Sequence, residues 1–124
     1  MSPPLVVGLG ARPHTAGDAI EAAIRAALTG AGLEPGDVAA LATLDRRAAE
    51  EGVRAVAAGH GWRLIAFTAA ELAAQPVPNR SETVAAAVGT PSVAEAAAIV
   101  AAGAGASLIV PKRVFPGITV AVAG

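Results

Sequence analysis

Apolar positions along this chain fall into two kinds of block, short continuous runs and stretches that recur every three or four residues. The run Leu5-Val6-Val7-Gly8-Leu9-Gly10 reads as a buried parallel strand that passes into a loop near Gly10. From Asp18 to Leu28 the apolar residues Ile20, Ala23, Ile24, Ala27 and Leu28 keep helical spacing, and Glu21 and Arg25 are left for the opposite face. Gly30 and Gly32 are expected to stop that helix. After the turn cluster Glu34-Pro35-Gly36-Asp37, Val38 to Leu44 reads as a second buried strand, with the charged triplet Asp45-Arg46-Arg47 expected in a loop behind it. Helical spacing returns from Glu50 to Ala58 through Val53 and Val56 and stops at Gly59-His60-Gly61, where His60 is expected to be exposed. Arg63 to Phe67 is the next strand.

Thr68-x-x-Glu71 has the form of a capping box for a short helix that ends before Pro76. Ser92-x-x-Glu95 is a second, placed just behind Pro91 and opening a longer helix to about Ala102. Leu108 to Val110 and Ile118 to Val122 read as strands separated by Pro111 to Gly117, a spacing compatible with a final hairpin and an antiparallel edge. The alternation predicts an α/β fold, a three-layer α/β/α sandwich around a mixed, mostly parallel sheet of about five strands, formed by residues 1–124 as a single domain. Ligands are expected at the carboxyl ends of the parallel strands.

Composition narrows the function classes. Alanine supplies 34 residues, so helices can lie close to the sheet while valine, leucine and isoleucine fill the core. Phe67, Phe115 and Trp62 are too few for a platform that stacks single-stranded bases, and nine basic against ten acidic residues give no attraction to a polyanion, so no nucleic-acid partner is expected. The absence of cysteine removes disulfides, thiolate metal sites and cysteine nucleophiles. His14 is the one histidine in a candidate site loop, so neither a metal site nor a cofactor is expected. Glu95 and the alanines and glycines around it make Val93 to Val110 a soluble helix and strand instead of a membrane span. No basic stretch followed by an apolar segment opens the chain, so the cytoplasm is the expected location.

The polar residues that matter most are those at strand ends. Gly8-x-Gly10 opens like a dinucleotide fingerprint, but Pro13 stands where its third glycine belongs, and a tight turn is the reading. The end of the first strand supplies Gly10, Arg12 and His14, the second supplies Thr43, Asp45, Arg46 and Arg47, and the next-to-last supplies Lys112 and Arg113. If those strands are parallel, five cationic side chains share one rim and could hold the carboxylates or phosphates of an anionic small molecule. The competing reading is that loops carry a soluble protein's charges anyway, and the residues leave the two level. Asn79, Ser81, Thr90 and Ser92 stand at helix starts where free N–H groups could receive an anion, although capping alone accounts for them. Asp45 beside Thr43 could activate water, with an ionised structural partner of the neighbouring arginines as the alternative.

Five segments together resemble one family. They are Val7 to Gly10, Leu41 to Asp45, Val77-Pro78-Asn79 with Ser81-Glu82, Val88 to Ala97, and Val110-Pro111-Lys112. They are similar to the family of stand-alone CobE proteins and CbiG C-terminal domains, over roughly residues 5 to 123, with Gly89-Thr90-Pro91-Ser92-Val93-Ala94-Glu95-Ala96 the most specific stretch. The resemblance implies an α/β/α fold and a place in corrin-ring assembly, whose intermediates carry several acetate and propionate carboxylates. It implies as ligand a precorrin or corrinoid, bound by a carrier or accessory factor, and other enzymes of that pathway as further partners; a homodimer is left open. CbiG-type enzymes open the ring lactone of cobalt-precorrin-5A with release of acetaldehyde, for which Asp45 or His14 would activate the water and Lys112 polarise the carbonyl. The resemblance covers the C-terminal unit of those enzymes alone, and Ala11 stands where the family often has Cys or Ser, so binding is expected ahead of hydrolysis. A third reading is an interaction domain docking through Val114-Phe115-Pro116-Gly117.

Overall fold

The computed structural model describes residues 4–75, 93–103 and 105–124. Strands β1 (Leu5–Ala11), β2 (Val38–Leu44), β3 (Arg63–Phe67), β4 (Leu108–Phe115) and β5 (Ile118–Ala123) form one sheet in the order β3-β2-β1-β5-β4. β1 pairs in parallel with β2 and β2 with β3, whereas β5 runs antiparallel to both β1 and β4. Four strands therefore point the same way, and the sheet is mixed.

The helices are α1 (Gly17–Gly30), the single turn α2 (Asp45–Ala48), α3 (Glu51–His60), α4 (Ala69–Ala73) and α5 (Val93–Ala102). Because side chains alternate across a strand, β1 sends Leu5, Val7 and Leu9 to one face of the sheet, where they meet Ile20, Ile24 and Leu28 of α1 and Val53 and Val56 of α3. The opposite face is built from small residues. Val6, Ala40 and Ala42 pack there on Leu72 of α4 and on Ala96 and Ala97 of α5, and Ala121 and Ala123 on Ala94 and Ala98. Gly8 lets α5 come closest, since a Cβ at that position would stand 1.9 Å from the carbonyl oxygen of Ala94. The result is the three-layer α/β/α sandwich expected, with large side chains below the sheet and an alanine helix above it.

Two expectations change. Asp45-Arg46-Arg47 is not loop but the turn α2, in which the Asp45 carboxylate accepts the Arg46 N–H at 2.7 Å and basic residues occupy the carboxyl end, both favoured by the helix dipole. The segment Pro111 to Phe115 is strand, not connection, so the hairpin closes through Pro116 and Gly117 alone, with Gly117 at φ +72°. Pro111 is tolerated because β4 is the edge, where a missing ladder donor does least harm. Where the β4–β5 pairing slips register, between Val110 and Arg113, the Lys112 N–H goes instead to Glu95 Oε2 of α5 at 3.1 Å.

Candidate functional site

β1, β2, β3 and β4 all end on one side of the molecule, where the β4–β5 turn lies, and α1 and α3 begin there as well. The loop leaving β1 is pinned at each residue that matters. The Arg12 N–H donates to the Gly117 carbonyl at 3.1 Å, so this loop rests on the hairpin turn. The Thr15 hydroxyl donates to the Arg12 carbonyl at 2.7 Å. Between them His14 takes φ +62°, a left-handed conformation unfavourable for a residue with a side chain, and its N–H donates to Glu50 Oε1 at 2.9 Å. The guanidinium of Arg12 and the imidazole of His14 are exposed.

The loop leaving β2 supplies the second group. Thr43 is wholly buried and donates to the Leu9 carbonyl at 2.7 Å, so its hydroxyl ties β2 to β1. Asp45 and Arg46 are exposed on α2. Arg47 is ion-paired with Glu50. Arg12 and Arg46, by contrast, form no ion pair among the described residues.

The remaining candidates are placed differently. Lys112 is half-buried on β4, and its backbone N–H ties that strand to Glu95 of α5. Arg113 reaches Gly30, where Nη1 lies 3.0 Å from the position of a Gly30 Cβ, at the carboxyl end of α1 and in favourable interaction with its dipole. Gly10 leaves room for Thr119, whose Oγ1 would be 2.5 Å from a Cβ at that position. Asn79, Ser81, Thr90 and Ser92 lie outside the described residues. The structure thus brings Arg12 and His14 to the loop beyond β1 and Asp45, Arg46 and Arg47 to the turn α2 beyond β2, and Arg113 elsewhere.

A cleft of about 690 Å³ opens between the starts of α1 and α3, lined by His14, Thr15, Asp18, Glu50 and Glu51 among others. Asp45 and Lys112 are not among its residues. The three groups that a lactone hydrolysis would use are therefore not gathered around this cleft, which has an acidic lining.

Two carboxyl groups matter more here than their sequence context suggests. Glu50 accepts from His14 and pairs with Arg47. Glu95 is fully buried and accepts from Lys112. For Glu95 the signal was its isolation as the one charge within Val93–Ala102, a helix apolar nearly all round. For Glu50 the spacing to Arg47, three residues earlier, was the local signal, whereas its other partner, His14, lies 36 residues away.

His60 is also placed against expectation. It is mostly buried, stacks on Trp62 with ring centroids 4.2 Å apart, and bonds Glu21 Oε1 at 2.8 Å, joining α3 to α1. Burial pushes the Glu21 pKa up, but hydrogen bonds from His60 and Arg25 and their charges outweigh it and hold the carboxyl below its ordinary 4.5. A folded pKa below the unfolded one gives stability that is complete above 4.5 and is lost as pH falls through the depressed value. Glu21→Gln is expected to lower stability at neutral pH by about 0.5–1 kcal/mol and to change it little at acid pH, as measured by urea unfolding under both conditions.

Residues 5–123 match the family model described as cobalamin synthesis G C-terminus. The chain is 41% identical over 122 residues to the protein CobE of Sinorhizobium sp., covering 97% of this chain and 79% of that protein. It is 30% identical over 109 residues to the cobalt-precorrin-5A hydrolase of Priestia megaterium, covering 88% of this chain but 29% of the enzyme. Among solved structures it superimposes with a TM-score of 0.84 on CobE, a protein from the cobalamin (vitamin B12) biosynthetic pathway, at 26% identity and covering 99% of this chain and 91% of that one. No helix among the described residues is long and apolar enough to cross a membrane.

Proposed function

Because the chain belongs to the cobalamin synthesis G C-terminal family and is a cobalamin-biosynthesis protein of the CobE type, we propose that it binds a carboxylate-rich precorrin or corrinoid intermediate as a carrier or accessory factor. The observation that supports this most is the pair Arg12 and Arg46, exposed on the loop beyond β1 and on the turn α2 beyond β2 and without an ion pair among the described residues. An exposed guanidinium that forms no ion pair can make bidentate bonds to carboxylates. The peripheral acetate and propionate groups of a corrinoid present such carboxylates around a disc, so two separated cations can engage two of them at once.

Titration with hydrogenobyrinic acid, followed by corrin absorption and by mass spectrometry of the recovered ligand, tests the reading. A spectral shift with unchanged mass is expected. Lactone-containing precorrins recovered with the mass of an opened ring would replace the carrier reading with the hydrolase one, and the absence of any spectral shift would remove it. The double variant Arg12→Glu/Arg46→Glu is expected to weaken binding roughly tenfold or more at low ionic strength and to flatten its dependence on salt, because both contacts are exposed and screened. Equal affinity in variant and wild type would place the ligand elsewhere.

A further inference from the structure

The loop that carries Arg12 and the turn that carries Arg46 belong to different crossovers of the fold, yet one side chain holds both. Glu50 stands between α2 and α3 with its backbone fixed on each side: its N–H donates to the Arg47 carbonyl at 3.0 Å and its carbonyl accepts the Arg54 N–H at 3.0 Å. From that fixed point one carboxylate oxygen, Oε1, accepts the His14 N–H at 2.9 Å and the other, Oε2, pairs with the Arg47 guanidinium. Both side chains of the pair are largely shielded, Arg47 at 14% and Glu50 at 17% exposure, which protects the contact from competition by water and salt. His14 is the residue at φ +62°, so the carboxylate also bonds the one non-glycine residue in left-handed conformation among those described.

We propose that Glu50 is a positioning residue, clamping the Arg12–Thr15 loop to α2 so that Arg12 and Arg46 are presented at a fixed separation to an acidic ligand. The inference rests on the corrinoid-binding reading for its ligand, but the clamp itself stands on geometry alone. Without it the left-handed turn at His14 loses an anchoring bond, and Arg12, two residues away in the same pinned loop, loses its fixed distance from α2. Binding then includes the ordering of both loops, which lowers affinity without removing any group that touches the ligand.

The experiment compares Glu50→Ala and Glu50→Gln with wild type by amide hydrogen exchange and by hydrogenobyrinic acid titration, after thermal unfolding has shown that each variant is folded. Glu50→Ala is expected to speed exchange at both the Arg12–Thr15 loop and α2. Glu50→Gln, which keeps an amide oxygen for the His14 N–H but discards the charge, is expected to restore protection in the loop while α2 stays faster. Affinity is expected to fall about fivefold to tenfold in Glu50→Ala, with little further loss when Arg12→Ala is already present, because a positioning residue acts through the group it positions. Losses that multiply independently in the double variant, or unchanged exchange in either segment, would overturn the proposal. If wild type binds no corrinoid, the carrier reading falls by itself, and the exchange pattern decides whether the clamp exists.

Discussion

Gly8→Ala is expected to lower folding stability by about 3 kcal/mol or more, because the added methyl has nowhere to go. Its Cβ would lie 1.9 Å from the Ala94 carbonyl oxygen and 2.8 Å from the Ala98 nitrogen, both backbone atoms of α5. A crowded side chain can rotate aside, whereas a helix backbone moves only as a body. α5 would have to lift from the sheet along its first two turns, opening gaps around Ala94, Ala96, Ala97 and Ala98, all fully buried. For a chain of 124 residues the expected loss corresponds to a fall in Tm of roughly 10–15 °C.

A second glycine supplies the opposite sign as a control. Gly59 lies within α3 with nothing inside 4 Å of its Cβ position. Gly59→Ala is expected to raise stability by about 0.5–1 kcal/mol through helix propensity and a less flexible unfolded chain. Paired thermal melts decide the matter, and a Gly8→Ala protein within 1 kcal/mol of wild type, on the order of a surface substitution, would mean that α5 does not rest on β1 as described.

The elements were legible where one local pattern sufficed. β2 and β3 were bounded by turn residues and begin and end as read, and the spacing of Ile20, Ile24 and Leu28 set the buried face of α1. The sheet order was harder, because it is decided by which strands are covered on both faces. β5 buries Val120, Ala121, Val122 and Ala123 in succession and takes an interior place between β1 and β4. Pro111, Lys112 and Arg113 send β4 to the edge. Those four consecutive apolar residues in β5 and that proline were visible in the chain, but the prolonged strand through Phe115 was not, since Pro111 and two cations read as a connection.

At the rim, position along the strands located Arg12, His14, Asp45, Arg46 and Arg47 just beyond the ends of β1 and β2, although the last three form a helical turn where a loop was expected. What stayed hidden depends on partners remote in sequence. Nothing local says that Glu50 also takes the His14 N–H, that Arg113 turns to the end of α1, or that His60 is drawn in by Glu21, 39 residues earlier. Of the five cations that the sequence offers, Arg47 is paired with Glu50 and Arg113 lies against the end of α1, while Arg12 and Arg46 are exposed on the loop after β1 and on α2.

Glu95→Ala should be the next most damaging change, with an expected loss of about 2–3 kcal/mol. The carboxyl group is fully buried, and its Oε2 accepts the Lys112 N–H where β4 slips register against β5. Truncation takes that acceptor from the backbone donor and leaves a gap where the stem packed. Glu95→Gln keeps an oxygen in place and should lose less than half as much, so the ordering wild type, Gln, Ala in urea midpoint separates the hydrogen bond from simple bulk. Amide exchange at Lys112 should quicken in Glu95→Ala; an alanine variant with wild-type midpoint and unchanged exchange there would show that this bond does not hold the strand. The consequence should reach the rim as well, because the end of β4 leads into the turn whose Gly117 carbonyl receives the Arg12 N–H. A loosened β4 lets that turn drift and takes Arg12 with it, so Glu95→Ala should weaken the corrinoid binding proposed above although Glu95, sealed between helix and sheet, is too deep to touch a ligand itself.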